Sequence, residues 1–522
     1  MGTPAHLVIP MFRHVSLVPS HGERPPMDRI AEAVEHHHPV EIQRRHGTFL
    51  TSFTCTNKSS IRPSSFHVTK IKPSPVSVFY PVTKDELRKL VQAHSKFRAI
   101  GSGHSFRGVL ETDGILISLE KMNQIIHVEQ SMRQVTVQAG IKIRDVIRIL
   151  ETQYGLALPN MGNYDRQSIG GAICGGTHGT SGNQRNDTFT SAIISIKMIN
   201  AQGRDIVLDA SESVNYGLGG IIYEVTLQVV PFYYLEKKRT VVKDPSKIDL
   251  HEWWKSDALF TVSEKQNIHV HSPQSRLQFF LLLIFHSLCI MCFVQMIRWN
   301  FPGKNYSVCQ KLEYYKKYKP EERNKNKAWL EHFVRLFTFR AAPFAPYLMR
   351  ALAPKVFKDM SYVDKYYFQY VDDPAPHHTE WEYAVPFERA TDLIPLIGDA
   401  VKHIPYIVEV HIRVSPQDSA KGHLAYRGDV VWFDLNVVTP QGLDGNALDE
   451  IGRPFEDLMT TRSGVAHPHK LVVDVKKAGF DEEKIKFLTL FQKTHDPENK
   501  MMNPALKKML HYSYGSIGQN GV

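Results

Sequence analysis

The chain has 522 residues, of which 42% are hydrophobic and 22% charged. This is the balance of an ordinary globular protein with two or three domains, and the scattered 30 prolines and 32 glycines exclude collagen-like and low-complexity classes. The net charge of +10, with histidine neutral, favours either an anionic partner or simply a basic surface. The sequence contains no zinc finger, RNP-type aromatic motif or basic arm, so we expect no nucleic-acid partner.

The five cysteines are too few and too scattered for a disulfide framework. Cys289 and Cys292 form a Cys-x-x-Cys pair inside an apolar run, but no second pair accompanies them to complete a zinc site. We therefore expect buried thiols and no metal centre.

Residues 1–70 are predicted to be a poorly structured N-terminal extension. The first 45 of them include several prolines and a run of three histidines at 36–38, without a long apolar core. This is not the pattern of a secretory signal peptide.

Residues from about 78 to 231 alternate between strand and helix patterns. A capping box of Thr83 and Glu86 begins one helix, and Gly155 ends another whose apolar residues recur at helical spacing from Ile143 to Leu150. Short apolar or alternating runs predict the strands, which we place at 98–100, 115–119, 135–139, 193–199 and 221–230. The mixture predicts an α+β fold with short glycine-rich connections.

Residues 277–297 form an apolar run of about the length that spans a bilayer. A single crossing would place the two motif-bearing parts of the chain on opposite sides of the membrane. Residues 329–352 form an amphipathic basic stretch that suits a membrane surface better than a second crossing. We therefore favour in-plane or re-entrant attachment of residues 277–297, with a buried core helix as the alternative.

The chain returns to a globular pattern beyond about residue 360. Residues 408–413 read as a strand, and alternation places Glu409, His411 and Arg413 on one face of it. An acid and two potential cations can bind hydroxyl groups and stabilise a developing alkoxide, although such a face is more often simply solvated. An amphipathic helix is predicted from the N-cap Asp481 to about Thr494.

Gly-Ser-Gly-His-Ser at residues 101–105 follows a predicted strand and forms the first glycine motif. Glycines without Cβ let the backbone approach a ligand closely and present N–H groups to phosphate. A dinucleotide-binding Gly-x-Gly-x-x-Gly is excluded, because the sixth residue is Phe106 and no long helix pattern follows. Alone, the motif could equally be a glycine turn with a surface histidine.

The second glycine motif is residues 155–181, in which six glycines from 162 to 179 interleave with serine and threonine. This composition can enclose a diphosphate with backbone amides and hydroxyls. A series of tight turns is the alternative, but so many glycines in one stretch make it less favoured.

The two glycine motifs, with the segment between them, resemble the flavoproteins of the vanillyl-alcohol oxidase type and, within them, the aldonolactone oxidase family. The resemblance covers residues 75–231 strongly and 360–510 weakly. It implies an α+β fold in which a PCMH-type FAD-binding domain of two α+β subdomains, residues 71–235, precedes a substrate or cap domain built on an antiparallel sheet, residues 236–522.

The resemblance implies FAD as the cofactor, with His104 at the position that bonds covalently to the flavin. The other positions at which the family holds FAD are Gly101, Ser102, Gly103, Ser105, Gly162, Ser168, Gly171, Gly176, Thr177, His178, Gly179 and Ile222.

The resemblance also implies a catalytic set. Glu409 would orient substrate hydroxyls, while Arg413 or His411 would help Lys470 to remove a hydroxyl proton. Lys470 lies in His-Pro-His-Lys at residues 467–470, which is similar to the family's His-Trp-Gly/Ala-Lys segment; without the resemblance this is a polar turn.

Two departures from the family pattern stand out. The segment between Asp209 and Gly219 is about ten residues shorter, and His411 stands where the family has arginine. Histidine is charged only when the pH is near or below its pKa of about 6.5, whereas arginine is always charged. Either Arg413 compensates, activity gains a pH dependence, or the protein is impaired.

The expected reaction is oxidation of a sugar 1,4-lactone (gulono-, galactono- or arabinono-lactone), with oxygen as acceptor and hydrogen peroxide as product, as in ascorbate-type biosynthesis. Open alternatives are a dehydrogenase that reduces a cytochrome or quinone, an alditol oxidase, and a membrane-associated protein that binds FAD without turnover or binds none. A membrane surface is the further expected partner, and we expect association with the endoplasmic reticulum or mitochondrial membrane in an undetermined topology.

Overall fold

The computed structural model describes residues 77–106, 108–181, 188–242, 247–254, 259–266, 306–315, 360–370, 378–404, 406–439 and 443–511. The predicted extension at 1–70, the apolar run at 277–297, the basic stretch at 329–352 and the Cys289–Cys292 pair lie outside these residues. Within them, no helix has both the length and the apolar character needed to cross a bilayer. Membrane attachment therefore stays a prediction.

The N-terminal part contains two mixed α/β layers. The first is a parallel three-stranded sheet in the order β1-β3-β2, with one helix between its strands. Its elements are β1 (Val78–Phe79), α1 (Lys84–Ala93), β2 (Phe97–Ile100) and β3 (Ile115–Ser118).

The capping box forms as predicted at the start of α1. The Thr83 hydroxyl accepts a hydrogen bond from the Glu86 amide, at 3.2 Å. The Glu86 carboxylate accepts one from the Val82 amide, at 2.8 Å, one residue before the position of the standard motif.

The second layer is an antiparallel five-stranded sheet in the order β4-β5-β9-β7-β8. The short strands β6 and β10 pair with each other beside it. Gly155, with a φ of 63°, ends the helical segment after α2, as predicted. The elements are β4 (Ile125–Glu129), β5 (Gln134–Gln138), α2 (Ile143–Ile149), β6 (Leu156–Ala157), α3 (Ile169–Cys174), β7 (Ile193–Asn200), β8 (Asp205–Leu208), β9 (Gly220–Gln228) and β10 (Val230–Pro231).

The remaining strands form an antiparallel eight-stranded sheet in the order β14-β11-β13-β12-β16-β17-β15-β18. The α+β fold class with a C-terminal antiparallel sheet is therefore confirmed. The elements are β11 (Tyr234–Val242), α4 (Leu250–Trp254), β12 (Leu259–Gln266), β13 (Tyr306–Tyr315), β14 (Met360–Lys365), α5 (Tyr366–Tyr370), β15 (Thr379–Pro386), α6 (Ile394–Val401), β16 (Ile407–Ser415), β17 (Val430–Val438), α7 (Gly445–Thr460), β18 (Val465–Ala466), α8 (Glu482–His495) and α9 (Pro504–His511).

One face of the central strands β15, β16 and β17 is apolar. Alternate residues such as Tyr383, Ile412 and Phe433 are buried there in a core shared with α6 and α7. Because successive side chains point to opposite faces, the other face of the same strands is left for the polar residues.

The last helices, α8 and α9, follow the final strand of the eight-stranded sheet in the chain, but they pack in the core of the N-terminal part. The buried guanidinium of Arg98 fixes this return, because it donates hydrogen bonds to the carbonyls of Val109, Gly217 and Met501. The N-terminal layers are thus completed by the end of the chain, which the linear domain boundaries at 235 and 236 do not capture.

Candidate active site

The two glycine motifs meet at Gly101. A Cβ atom added to Gly101 would lie 2.5 Å from the Ser168 hydroxyl, and one added to Gly171 would lie 3.0 Å from the same atom. Contacts under 3.0 Å force neighbouring atoms to shift, so these glycines allow an approach that larger residues would disturb. Residues about seventy positions apart in the sequence therefore form one surface.

The glycine motifs also contain backbone conformations that favour glycine. Gly103 has a φ of 70° and Gly176 a φ of 72°, in the left-handed region that side chains with a Cβ rarely adopt. Gly179 packs closely on Asn160, where an added Cβ would lie 1.9 Å from the side-chain oxygen. The backbone itself is therefore the surface that these segments present.

This surface has the donors that a diphosphate needs. Within the described residues, the backbone N–H groups of Gly103 and Ser105 make no hydrogen bond, and the buried Ser105 hydroxyl has no hydrogen-bond partner. Unpaired donors at a glycine turn form an anion-binding concavity. The residues present therefore fit the diphosphate of FAD.

His104 lies beside this concavity. Its ring stacks on Tyr164 with centroids 4.4 Å apart and an interplanar angle of 19°. Tyr164 belongs to the second glycine motif, so the imidazole is held between the two motifs.

Glu409, His411 and Arg413 share one face of β16, as alternation predicts. His411 Nε2 lies 3.1 Å from the Glu409 carboxylate. Arg413 NH2 lies 3.3 Å from His411 Nδ1. The permanent charge of Arg413 is thus adjacent to the histidine that stands where the family has arginine.

Three further carboxylates lie on this face and were not predicted from the sequence. Asp434 on β17 is directly opposite His411 on β16 and opposite Glu382 on β15. Glu380 lies on the same face, two residues before Glu382 on β15. We call the six residues together the charged face: Glu380, Glu382, Glu409, His411, Arg413 and Asp434.

His178 joins the second glycine motif to the charged face. Its Nε2 lies 2.9 Å from the Glu382 carboxylate, and its ring stacks on Trp432 with centroids 3.6 Å apart. The side chain of His178 is thus directed at the eight-stranded sheet, and its expected part in holding the cofactor stays a prediction. Burial alone would raise the pKa of Glu382, but His178, with smaller contributions from His467 and Arg413, outweighs burial and lowers that pKa.

The loop at residues 467–470 lies over the same region. The Lys470 ammonium forms an ion pair with Glu380 and lies 5.3 Å from the centroid of the Phe106 ring. The Phe106 amide donates a hydrogen bond to the His469 carbonyl, at 2.8 Å. Lys470 is therefore placed between the charged face and the first glycine motif.

Lys470 and Asp434 in this region also have displaced pKa values. Burial lowers the pKa of Lys470 to about 7, so neutral amine and ammonium are both populated near neutral pH. Burial, with Glu382 as the next contributor, raises the pKa of Asp434 to about 8. A carboxyl group at neutral pH is then a hydrogen-bond donor.

The structure thus brings together most of the residues that the sequence singled out. Ile222 and Gly162 contact other residues of the second glycine motif. The Ile222 carbonyl faces Gly170, and Gly162 packs on Thr177. The part of the chain that the structure describes contains no group of three His, Cys, Asp or Glu side chains placed to hold a metal ion.

Two protein-family profiles match the chain. The FAD binding domain matches residues 75–209, and D-arabinono-1,4-lactone oxidase matches residues 293–509. The chain is an FAD-dependent oxidoreductase of the aldonolactone oxidase family. Its first profile covers both glycine motifs and its second covers the charged face and Lys470.

Three lactone-oxidising enzymes are among the relatives of this aldonolactone oxidase family member. L-gulono-1,4-lactone dehydrogenase of Mycobacterium tuberculosis is 24% identical over 76% of this chain and 86% of its own length. L-gulonolactone oxidase of Mus musculus is 34% identical, over 31% of this chain and 39% of its own. D-arabinono-1,4-lactone oxidase of Candida glabrata is 30% identical, over 36% of this chain and 37% of its own.

A solved structure shares the fold. A histidine-to-alanine variant of cholesterol oxidase from Brevibacterium sterolicum aligns with a TM-score of 0.59 and 14% identity, covering 83% of this chain and 94% of that one. At this identity the likeness concerns the fold alone.

The raised pKa of Asp434 predicts a stability that depends on pH. An aspartate in the unfolded chain loses its proton near a pH of about 4, whereas Asp434 in the folded protein loses it near pH 8. Between these two pH values, only the unfolded chain has lost the proton. The free energy of unfolding therefore falls as pH rises through this window. Asp434→Asn should remove that contribution and stabilise the protein, relative to the parent, by on the order of 3 kcal/mol more at pH 8 than at pH 5.

Urea unfolding at both pH values measures this difference. Asp457→Asn is the control, because Asp457 lies on the surface and pairs with the exposed Lys477, and it should change the free energy of unfolding by less than about 1 kcal/mol at either pH. A relative stabilisation by Asp434→Asn that shrinks as pH rises would show that the Asp434 pKa is not raised.

Proposed function

We propose that this protein oxidises a secondary hydroxyl of a sugar 1,4-lactone, passes the electrons to oxygen and releases hydrogen peroxide. The observation that carries the proposal is the position of Lys470, which contacts Glu380 on the charged face and Phe106 next to the first glycine motif. A reacting hydroxyl in this gap would be close to a proton acceptor and to the cofactor together. The relatives named as lactone oxidases support the choice of substrate class.

The charged face would bind the polyhydroxylated substrate. Carboxylates such as Glu409 accept hydrogen bonds from sugar hydroxyls, and Arg413 can donate to a ring or carbonyl oxygen. One carboxyl oxygen of Asp434, Oδ1, is buried with no hydrogen-bond partner among the residues that the structure describes, so it too can serve a substrate oxygen. Permanent charge at Arg413 would compensate for His411, so we propose a functional rather than an impaired enzyme.

Lys470 would act as the proton acceptor. Its neutral amine takes the hydroxyl proton and becomes the ammonium, which Glu380 beside it stabilises. The lowered pKa allows this exchange near neutral pH. The Glu380 carboxylate also lies 2.6 Å from His378 Nε2. This second contact fixes the carboxylate and, through it, the Lys470 amine.

FAD, when bound, supplies the acceptor for the hydride that leaves the same carbon atom. His104 would hold the flavin covalently, and the stacking on Tyr164 fixes the imidazole for that bond. We further propose a role in ascorbate-type biosynthesis and an attachment to the membrane surface through residues 277–297.

The electron acceptor separates this proposal from its main rival. The mycobacterial relative is named a dehydrogenase, which would reduce another acceptor in place of oxygen. Anaerobic addition of L-gulono-, L-galactono- or D-arabinono-1,4-lactone should bleach the flavin, and admission of air should restore its absorbance within seconds with one peroxide per lactone. Bleaching followed by slow recovery would favour the dehydrogenase, and the absence of bleaching with every lactone would contradict the substrate class.

Lys470→Met should lower kcat/KM by about 10²- to 10⁴-fold, the usual contribution of a general base, while the flavin content stays unchanged. Only the neutral amine of Lys470 can accept a proton, and its fraction grows as pH rises through the pKa of about 7. The kcat/KM of the parent should therefore rise with pH through about 7. This rising limb should be absent in the variant.

Initial rates between pH 5.5 and pH 9 provide the measurement. Lys484→Met is the matched control, since burial lowers the pKa of Lys484 to about 8 but this side chain lies on α8, paired with Asp481. The control should keep the rising limb near pH 7. If Lys470→Met kept both the rate and the limb, Lys470 would not be the proton acceptor.

A further inference from the structure

Lys142 lies at the junction of the two glycine motifs. Its backbone pairs with that of Ser168 in an isolated antiparallel bridge, and Ser168 is the residue that contacts Gly101. Its Nζ donates a hydrogen bond of 2.8 Å to the Ser102 hydroxyl. Backbone and side chain of one residue thus contact both motifs.

The Ser102 hydroxyl cannot neutralise this ammonium. It accepts from Lys142 and donates in turn to the Arg166 carbonyl, at 2.6 Å. Among the described residues, no carboxylate lies within ion-pair distance of the Lys142 ammonium, whose one hydrogen bond is that to Ser102. Two of the three ammonium protons are therefore available to a ligand.

A half-buried cation without a counter-ion is costly unless something anionic joins it. Burial lowers the pKa of Lys142; the more distant Glu120 and Asp145 oppose this, and Arg144 adds to it. These acidic groups are too remote to act as partners. The position therefore calls for an anion that the chain itself does not supply.

The neighbouring first glycine motif indicates which anion this is. It is the loop whose N–H groups at Gly103 and Ser105 make no hydrogen bond in the described structure and whose residues fit the FAD diphosphate. From these contacts we infer that Lys142 is a cofactor-binding residue that pairs with the diphosphate of FAD. The inference depends only on FAD binding and not on the proposed substrate.

The alternative is that Lys142 merely stiffens the loop through Ser102. The two roles differ in what they recognise: a charge partner affects only ligands that carry the diphosphate, whereas a stiffened loop favours every flavin equally. Riboflavin, which lacks the diphosphate, therefore separates them.

Binding is measured in a His104→Ala background, so that flavin exchange is reversible, by the change in flavin fluorescence. Lys142→Gln should raise the Kd for FAD about 10- to 100-fold, as expected for the loss of a charged hydrogen bond, and leave the Kd for riboflavin unchanged. Lys142→Arg should retain most of the FAD affinity. Lys89→Gln, which removes an exposed lysine from α1, should change neither Kd and controls for net charge.

Salt provides a second readout that needs no variant of Lys142. Raising ionic strength screens a charge pair, so FAD binding should weaken between about 0.05 and 0.5 M salt while riboflavin binding does not, even if Lys142→Gln fails to fold. An unchanged Kd for FAD in Lys142→Gln, an equal loss for both ligands, or an equal salt dependence of the two would each overturn the inference.

Discussion

The close approach of Gly101 to Ser168 determines how the two glycine motifs assemble. It lets two segments that are remote in sequence present a single backbone surface, beside which lie the unpaired donors of the first motif. A larger side chain at Gly101 would have to displace Ser168, the residue that also pairs with Lys142. The proposed site for the cofactor therefore rests on main-chain packing, and side chains such as His104 and Lys142 would add specificity to it.

The junction between this surface and the eight-stranded sheet is formed by His178. His178 is buried between Glu382 and Trp432, so a residue of the second glycine motif contacts the charged face directly. The pKa values of the two buried acids shift in opposite directions. Burial would raise that of Glu382, but His178, His467 and Arg413 together lower it, whereas burial and the charge of Glu382 both raise that of Asp434. The second glycine motif and the eight-stranded sheet are thus linked through electrostatics as well as packing.

The sequence predicted those parts of the site that are local in the chain. Alternation placed Glu409, His411 and Arg413 on one face because a strand has a period of two. It could not place Asp434 or Glu382 beside them, because no local pattern shows which strands pair or in which register. The alternation of Glu380 and Glu382 with buried aromatic residues was a usable signal, but by itself such a pattern is typical of a solvated strand. The return of α8 and α9 to the N-terminal core likewise depends on Arg98 contacts that only the tertiary structure creates.

If the two glycine motifs hold FAD with its flavin bonded to His104, acid precipitation of the purified protein will reveal the bond. A covalent link leaves the yellow colour in the washed pellet, whereas FAD that is merely bound passes into the supernatant. We predict a yellow pellet for the parent protein, and for a folded His104→Ala variant a colourless pellet beneath a yellow supernatant. A parent protein that releases all of its colour, or a His104→Ala pellet that stays yellow, would contradict the account.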